Sequence, residues 1–239
     1  MMDARRAGTM MSLVLPLYNE ADGIAAIVAN LTGALEHEAL PYQLVLVNNG
    51  STDGSAAILA SLASRNAHVH VTTVPVNLGY GWGIICGLEE ATGEIVGFMC
   101  ADGQIAPVDV IRVYRRLIEG TVDLSKVVRV TREDGFQRRV MSAVYNRLFR
   151  LLFAVDAADI NGTPKLMWRS RCAELDLSSK DWFIDAEVMI RAVERGFRVG
   201  EVPVNFAARE HGSSNVKLTT SLEFLRNMFR YRFRRGRRS

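Results

Sequence analysis

The chain has 239 residues, of which 49% are hydrophobic and 23% are charged. This balance is typical of a folded globular domain and argues against collagen-like, low-complexity and disordered classes. Its three cysteines form no CxxC pair, which argues against a disulfide scaffold or a zinc module and favours a reducing compartment.

The charge of the chain is concentrated at its C-terminus. The net charge is +3, but residues 226–239 hold seven arginines and no acid, so the remainder carries −4. Such a tail is typical of contact with anionic lipid or nucleic acid, or of a solvated end. No apolar run is long enough to span a bilayer, and no signal peptide is recognisable, so we expect a cytoplasmic protein.

The first half of the sequence alternates short apolar runs with helical patterns. Strands are predicted over 12–18, 43–47, 69–74 and 94–100, and helices over 20–38, 55–65, 81–91 and 108–119. Strand–helix alternation at this spacing predicts an α/β fold, with a mostly parallel sheet covered by helices on both faces.

The second half is less regular. Further strands are predicted over 124–130, 160–168 and 198–206, and helices over 136–155, 184–195 and 218–233. We therefore predict a disordered N-terminus over 1–11, one domain over 12–217, and a basic amphipathic helix and tail over 218–239.

Four polar clusters follow predicted strands, at 18–20, 48–53, 77–83 and 101–104. Ligands of open parallel sheets bind where the carboxyl ends of strands meet, so these clusters are expected to line one cleft. A dinucleotide site would need its glycines in the turn after the first strand. That turn reads PLYNE, so no such site is supported.

Five motifs in order carry a resemblance to a known family. They read VLPLYNE, VNNGSTDGS, NLGYGWG, ATGEIVGFMCADGQIAP and EVPVNFAAREHGSS. Over about residues 12–217 they resemble family 2 glycosyltransferases of the GT-A (Rossmann-like) fold. Their order and spacing are similar to the dolichyl-phosphate mannose and polyprenyl-phosphate glucose synthase branch. The resemblance implies a nucleotide-sugar donor, a divalent metal and inversion at the anomeric carbon.

The resemblance also implies a set of donor-binding residues. They are Pro16, Tyr18, Glu20, Val47, Asn49, Ala101, Asp102, Lys165, Arg209 and Lys217. The family usually has two aspartates at Asn48 and Asn49 and an arginine at Lys165. Asparagine keeps an acceptor oxygen and adds a donor, although an Asn-Gly step can also simply form a turn.

The metal motif departs furthest from the family. Its Asp-x-Asp pattern is Cys100-Ala101-Asp102 here, followed by Gln104. Mg²⁺ and Mn²⁺ prefer oxygen ligands, so Asp102 and Gln104 are the candidate ligands of a weakened site. The alternative is a degenerate protein that binds a sugar nucleotide without turning it over.

The basic segment that starts within the fifth predicted strand supplies the candidate residues for binding the acceptor. By resemblance Asp102 and Arg129 are catalytic, with Arg129 near the acceptor phosphate. Arg138 or Arg139, together with Ser142, match the residues that bind that phosphate. A polyprenyl phosphate is already an anion and needs cations rather than a general base. A hydroxyl acceptor would need a base, for which Asp185 and then Glu187 are the candidates. For each of them, a position on a helix surface or in a structural salt bridge is at least as good an interpretation.

The expected protein is therefore an inverting transferase that moves a hexose from a GDP-mannose or UDP-glucose type donor to a polyprenyl phosphate. The apolar residues of the acceptor-side helix could face lipid or core; they are Val140, Val144, Leu148, Leu151 and Leu152. The stripe Leu222, Leu225, Phe229 and Phe233 predicts a helix that holds the protein peripherally on the cytoplasmic face of an anionic membrane. Packing on its own core, a sister subunit or a membrane partner subunit are the alternatives, and no nucleic-acid role is expected.

Overall fold

A computed structural model describes residues 10–132, 147–153, 155, 158–206, 226–228 and 230–232. The first half contains strands β1 (Met11–Leu17), β2 (Tyr42–Asn49), β3 (Val69–Val74) and β4 (Ile95–Phe98). Between and after them lie helices α1 (Ile24–His37), α2 (Ser55–Arg65), α3 (Tyr80–Glu89) and α4 (Pro107–Ile118). β1 and β2 are buried at every position, because a strand covered by helices on both faces has no solvent side.

The second half contains β5 (Leu124–Arg132), β6 (Lys165–Trp168), α5 (Arg169–Glu174), α6 (Ile184–Glu194) and β7 (Val199–Phe206). Residues 147–153, 226–228 and 230–232 are also helical. β6 is shorter than the strand predicted over 160–168, because Pro164 has no amide hydrogen to donate to a neighbouring strand. The helix α5 was not predicted.

The strands form one sheet of seven in the order β3-β2-β1-β4-β6-β5-β7. β6 runs antiparallel to both β4 and β5, whereas the other neighbouring pairs are parallel. The predicted α/β class with a mostly parallel sheet is confirmed. The reversal of β6 was not predicted, since an apolar run reads the same in either direction.

The sheet separates two hydrophobic cores. Leu13 and Leu15 of β1 contribute to the core under α1 and α4, while Val14 between them contributes to the core under α3 and α6. Alternation along a strand sends successive side chains to opposite faces. The two cores therefore show that helices cover both faces of the sheet, as predicted.

The helical residues of the second half pack on the second core. Phe149 and Met228 are fully buried there, and Leu148 and Leu152 pack against it. Leu151 is 81% exposed. Of the residues for which lipid and core were both left open, Leu148 and Leu152 thus belong to the core side, while Val140 and Val144 lie outside the described residues.

The ends of the chain are described only in part. Met11, placed in the predicted disordered segment, lies in β1, and residues 1–9 lie outside the described ranges. The predicted apolar stripe of the C-terminal helix also falls outside them. Among the helices that the structure describes, none is long and apolar enough to cross a membrane.

Candidate active site

The carboxyl ends of β1 and β2 bring two of the predicted polar clusters together. The parallel register pairs Leu17 with Asn48, so the loops that follow lie side by side. Thr52 N donates to Asn19 Oδ1 at 2.8 Å, and Ala21 N donates to Asp53 Oδ2 at 3.2 Å. Burial raises the pKa of Asp53, but hydrogen bonds from Ser55 and Ala21 bring it below its usual value. The two loops form one ordered rim of the cleft.

Asn49 connects this rim to the start of α3. Its side chain donates from Nδ2 to the carbonyl oxygen of Gly79 at 3.0 Å and to Asn77 Oδ1 at 3.3 Å. A Cβ at Gly83 would lie 3.0 Å from Pro16 Cβ and 3.2 Å from Asn49 Nδ2. The glycine therefore allows α3 to pack directly on two of the predicted donor-binding residues.

The other predicted donor residues of this rim differ in accessibility. Tyr18 is 40% exposed and is open to a ligand, and Glu20 is half-buried. Val47 is fully buried in the second core. Contrary to the sequence prediction, its side chain therefore has no exposed surface for a donor.

The metal motif follows β4. The Tyr80 hydroxyl and Cys100 Sγ are hydrogen-bonded at 3.3 Å. Burial, followed by the negative charge of Asp102, raises the pKa of the Cys100 thiol to about 12. The thiol therefore keeps its proton at neutral pH, and a protonated thiol is a poor ligand for Mg²⁺ or Mn²⁺.

Asp102 and Gln104 form the other half of this motif. Gln104 N donates to Asp102 Oδ1 at 3.1 Å, which shapes the turn. Within the described ranges, no group of three or more His, Cys, Asp and Glu side chains is placed to hold a metal ion. A single carboxylate and an amide nevertheless suit Mg²⁺ when a diphosphate supplies the remaining oxygens. Asp102 and Gln104 fit such an ion, and Cys100 does not.

A buried ion pair lies beneath the cleft. Lys165 is fully buried and its ammonium contacts the carboxylate of Asp185, which is 5% exposed. Burial raises the pKa of Asp185, and the charge of Lys165 opposes that shift. Contrary to the sequence prediction for the donor site, Lys165 has a protein partner and presents no exposed surface to a donor.

Arg129 is paired as well. It donates from Nε to Asp159 Oδ2 at 2.6 Å and from Nη2 to Asp159 Oδ1 at 2.7 Å, a bidentate contact. The guanidinium also lies 5.1 Å from the centre of the Phe206 ring. Asp159 was not singled out from the sequence, because no spacing rule links it to a residue 30 positions away. The predicted cation at the acceptor side is therefore balanced by a neighbouring carboxylate.

Glu187 holds the loop that precedes α6 in place. It is fully buried, and it accepts hydrogen bonds from Ser178 N at 3.0 Å and Ser179 N at 2.7 Å. Arg191 Nη2 lies 2.6 Å from its Oε1. Glu187 thus fixes the loop over residues 178–183, which we call the 178–183 loop.

The 178–183 loop packs an aromatic side chain against the start of α3. The ring of Trp182 stacks on Tyr80, with centroids 4.4 Å apart and an interplanar angle of 17°. A Cβ at Gly81 would lie 2.2 Å from the carbonyl oxygen of Ser179. The sequence did not predict this stacking contact, although the glycines at the start of α3 were a signal of close packing there.

Five of the predicted site residues lie outside the described ranges, and their roles stay predictions. They are Arg138, Arg139, Ser142, Arg209 and Lys217.

Comparison with known proteins decides the family. The model of "Glycosyl transferase family 2" matches residues 12–174. This chain belongs to glycosyl transferase family 2. The family inferred from the five motifs is confirmed, whereas the polyprenyl branch is a finer assignment that the match does not make.

Solved structures share the fold of this family 2 chain. Glucosyl-3-phosphoglycerate synthase from Mycobacterium tuberculosis, in complex with Mn²⁺, UDP and phosphoglyceric acid, is 20% identical with a TM-score of 0.74. That match covers 95% of this chain and 78% of the synthase. The same synthase with Mn²⁺, UDP-glucose and phosphoglyceric acid gives 0.76 at 20% identity, covering 97% and 82%. A structure described as a mycobacterial protein gives 0.67 at 21% identity, covering 91% and 71%.

Proposed function

We propose that this family 2 transferase moves a hexose from a nucleotide sugar to a polyprenyl phosphate, with inversion at the anomeric carbon. The observation that carries the proposal is that both candidate general bases are buried and bound to other groups of the protein. Asp185 is buried against Lys165, and Glu187 is buried against Arg191 and the 178–183 loop. Neither acid is presented to an incoming hydroxyl group.

The two acceptor classes differ in their need for such a base. A hydroxyl must lose its proton as it attacks, and an acid that is buried and ion-paired is badly placed to take it. A phosphate oxygen is already negatively charged at neutral pH, so it requires only orientation and charge balance. The arrangement of Asp185 and Glu187 therefore favours a phosphate acceptor.

The donor is a nucleoside-diphosphate hexose, of the UDP-glucose or GDP-mannose type. Its base and ribose would lie beside Tyr18 and the turn that precedes α3, which the buried Asn49 side chain holds from below. Family membership supports this assignment, and so does the UDP-glucose held by the similar synthase. Tyr18 offers an exposed ring on which a base could stack.

A divalent ion, Mg²⁺ or Mn²⁺, would be held by Asp102 with Gln104 and the donor diphosphate. When bound, such an ion stabilises the negative charge that develops on the leaving diphosphate. The similar synthase holds Mn²⁺ together with UDP, which supports a metal here. Because Asp102 is the single carboxylate of the motif, we expect a weak metal affinity.

The enzyme would work peripherally on the cytoplasmic face of a membrane, where polyprenyl phosphates reside. Arg226, Arg230 and Arg232 are exposed, and four more arginines follow in the sequence. Each cation near an anionic leaflet contributes about 1 kcal/mol, screened by salt. These charges suit reversible attachment to a membrane or to a membrane partner subunit.

A second candidate acceptor is a small phosphorylated hydroxy acid. The similar synthase was solved with phosphoglyceric acid, which carries both a phosphate and a hydroxyl group. Transfer to that hydroxyl would need a base other than the two buried acids. This candidate is therefore tested beside the first.

The experiment is sugar transfer with purified protein, Mn²⁺, and labelled UDP-glucose or GDP-mannose. Parallel reactions contain a polyprenyl phosphate in vesicles, 3-phosphoglycerate, or neither. We expect label in the lipid fraction only, with a product that releases free sugar on mild acid treatment.

Each other outcome has its own meaning. Label in phosphoglycerate alone would replace the acceptor by the second candidate. Donor binding by calorimetry without transfer to either acceptor would indicate the degenerate sugar-nucleotide binder. Absence of both binding and transfer with the two donors would overturn the proposal.

A further inference from the structure

The described C-terminal residues, 226–228 and 230–232, form a short helical segment with two different sides. Arg226, Arg230 and Arg232 are exposed, whereas Asn227 and Tyr231 are half-buried and Met228 is fully buried. We call this the tail segment. Its inward side packs on the domain while its outward side is cationic.

The inward side contacts both chain neighbours of Trp182. Asn227 donates from Nδ2 to Asp181 Oδ2 at 2.7 Å, and the Tyr231 ring lies 5.2 Å from the Phe183 ring. Arg191 also donates from Nε to the Tyr231 hydroxyl at 3.2 Å. The tail segment thus holds the 178–183 loop on either side of Trp182.

Both oxygens of Asp181 are used in this arrangement. Oδ1 accepts the backbone N–H of Phe183 at 2.9 Å, and Oδ2 accepts the amide of Asn227. Losing the Asn227 contact would leave the carboxylate with one fewer partner and free to rotate. The position of Trp182 therefore depends on a residue 45 positions later in the sequence.

From Trp182 the contacts continue to the metal motif. Trp182 stacks on Tyr80, and the Tyr80 hydroxyl is hydrogen-bonded to Cys100 Sγ at 3.3 Å. Cys100 stands two residues before Asp102. An unbroken series of contacts therefore joins the exposed arginines to the turn that carries the candidate metal ligand.

We propose that Asn227 and Tyr231 are positioning residues for Trp182, and that an anionic lipid surface bound by the outward arginines orders the 178–183 loop through them. The lipid surface rests on the proposed function, whereas the role of Asn227 and Tyr231 rests on the contacts alone. A surface that binds the docked tail segment better than an undocked one must shift the population towards the docked state. The coupling is reciprocal, so ordering the loop also strengthens surface binding.

The charge pattern favours lipid over other polyanions. The outward residues are arginines, residues 226–239 contain no acid, and clustered cations of this kind are attracted to an anionic leaflet. Nucleic-acid sites for single strands combine basic residues with exposed aromatic rings. The aromatic residue described in the tail segment, Tyr231, faces the core instead.

The test is hydrogen exchange of the full chain, followed by mass spectrometry, without any substrate. It compares protein alone with protein on phosphatidylcholine vesicles, with and without phosphatidylglycerol. For the unaltered protein we expect anionic vesicles to slow exchange in 178–183 by about tenfold and to leave β1 and β2 unchanged. Neutral vesicles should have no effect.

Matched variants test the inward and the outward side of the tail segment separately. In Asn227→Ala, with Tyr231→Phe as the milder change, loop exchange should be faster and vesicles should give little protection, although vesicle co-sedimentation is retained. In the triple change Arg226→Gln, Arg230→Gln and Arg232→Gln, co-sedimentation should weaken while loop exchange in solution stays as in the unaltered protein. A merely structural Asn227 would raise exchange without altering the protection that vesicles give.

Several results would overturn the proposal. These are vesicle binding without loop protection, equal protection in Asn227→Ala, and binding to a duplex RNA of matched charge but not to anionic vesicles. None of these results depends on sugar transfer. The proposed enzymatic activity therefore succeeds or fails separately.

Discussion

The side-chain nitrogen of Asn49 lies 3.0 Å from the carbonyl oxygen of Gly79. Gly79 N in turn donates to Asn77 Oδ1 at 2.9 Å, which directs that oxygen towards the Asn49 amide. Two acceptors therefore face Asn49 Nδ2, and its Oδ1 is buried without a partner among the described residues. The amide orientation is fixed by the turn before α3, which needs a donor at position 49.

This relationship predicts that the family's usual aspartate is harmful here. Asn49→Asp would set a carboxylate oxygen against the Gly79 carbonyl and Asn77 Oδ1, and we expect a loss of about 1–3 kcal/mol of unfolding free energy. The matched control is Asn48→Asp, because Asn48 uses its Oδ1 to accept Ser51 N at 3.1 Å, a bond that aspartate keeps. Urea denaturation measures both variants. Equal losses would show that the amide nitrogen of Asn49 has no special partner.

The metal motif predicts a gain and a loss. Asp102→Ala should abolish transfer, since it removes the single carboxylate of the motif. Cys100→Asp should tighten Mn²⁺ binding by adding a hard ligand, while Cys100→Ser retains a hydroxyl for Tyr80 without adding charge and should not tighten it. Calorimetric titration with Mn²⁺ measures the difference. Full turnover of Asp102→Ala, or activity unchanged in strong chelator, would show that Asp102 is not a metal ligand.

The buried pair of Lys165 and Asp185 predicts strongly unequal variants. Lys165→Met should cost about 3–5 kcal/mol of unfolding free energy, because it leaves the buried Asp185 carboxylate uncompensated. The double change Lys165→Met with Asp185→Leu should recover much of that loss, since no charge remains buried. A double-mutant cycle from chemical denaturation measures the coupling. Additive losses would mean that the two side chains do not act as a pair.

Lys126 predicts a pH-dependent stability. It is fully buried, and burial, followed by the charge of Lys165, lowers its pKa from 10.5 to about 8. Between these values the unfolded chain binds more protons than the folded protein, so the cost of burying this cation fades as pH rises. Lys126→Met should therefore be more stable than the unaltered protein at pH 7, by up to about 3 kcal/mol.

The advantage of Lys126→Met should shrink as pH rises from about 8 towards 10.5. Glu201, the partner of Lys126 at 3.3 Å, is partly exposed and still accepts Ala158 N at 3.1 Å, so the substitution leaves no buried, unsatisfied carboxylate. Denaturation across this pH range measures the difference. A constant difference between the two proteins would mean that Lys126 titrates as it does in the unfolded chain.

Deleting the predicted C-terminal helix would be a misleading test of membrane attachment. The 3–4 spacing of apolar residues in this helix fits a membrane-facing stripe and a core-facing stripe equally well. The structure packs Met228 and Tyr231 on the second core, so a truncation before them would expose apolar surface and destabilise the domain. Substitution of the exposed arginines tests surface attachment without that cost.

The sequence by itself determined the α/β alternation, the polar loops at the carboxyl ends of the strands, and the family. These features follow from local periodicity and from short motifs, which are readable without any long-range contact. Six of the predicted strands therefore lie close to their predicted positions, as do the helices between and after the first four. The loops after β1 and β2 meet as expected because parallel strands end at one edge.

Only the tertiary structure decided which charged side chains are accessible to a substrate and which are buried or paired inside the protein. Lys165 and Arg129 were predicted to contact substrates, yet each is paired with a carboxylate remote in the chain, at separations of 20 and 30 positions. For Asp185 and Glu187 the sequence left a general base and a structural salt bridge open, and the structure shows the salt bridge. The antiparallel direction of β6 and the stacking of Trp182 on Tyr80 were decided in the same way. A buried charge needs a partner, and the identity of that partner depends on packing between elements, which no local pattern encodes.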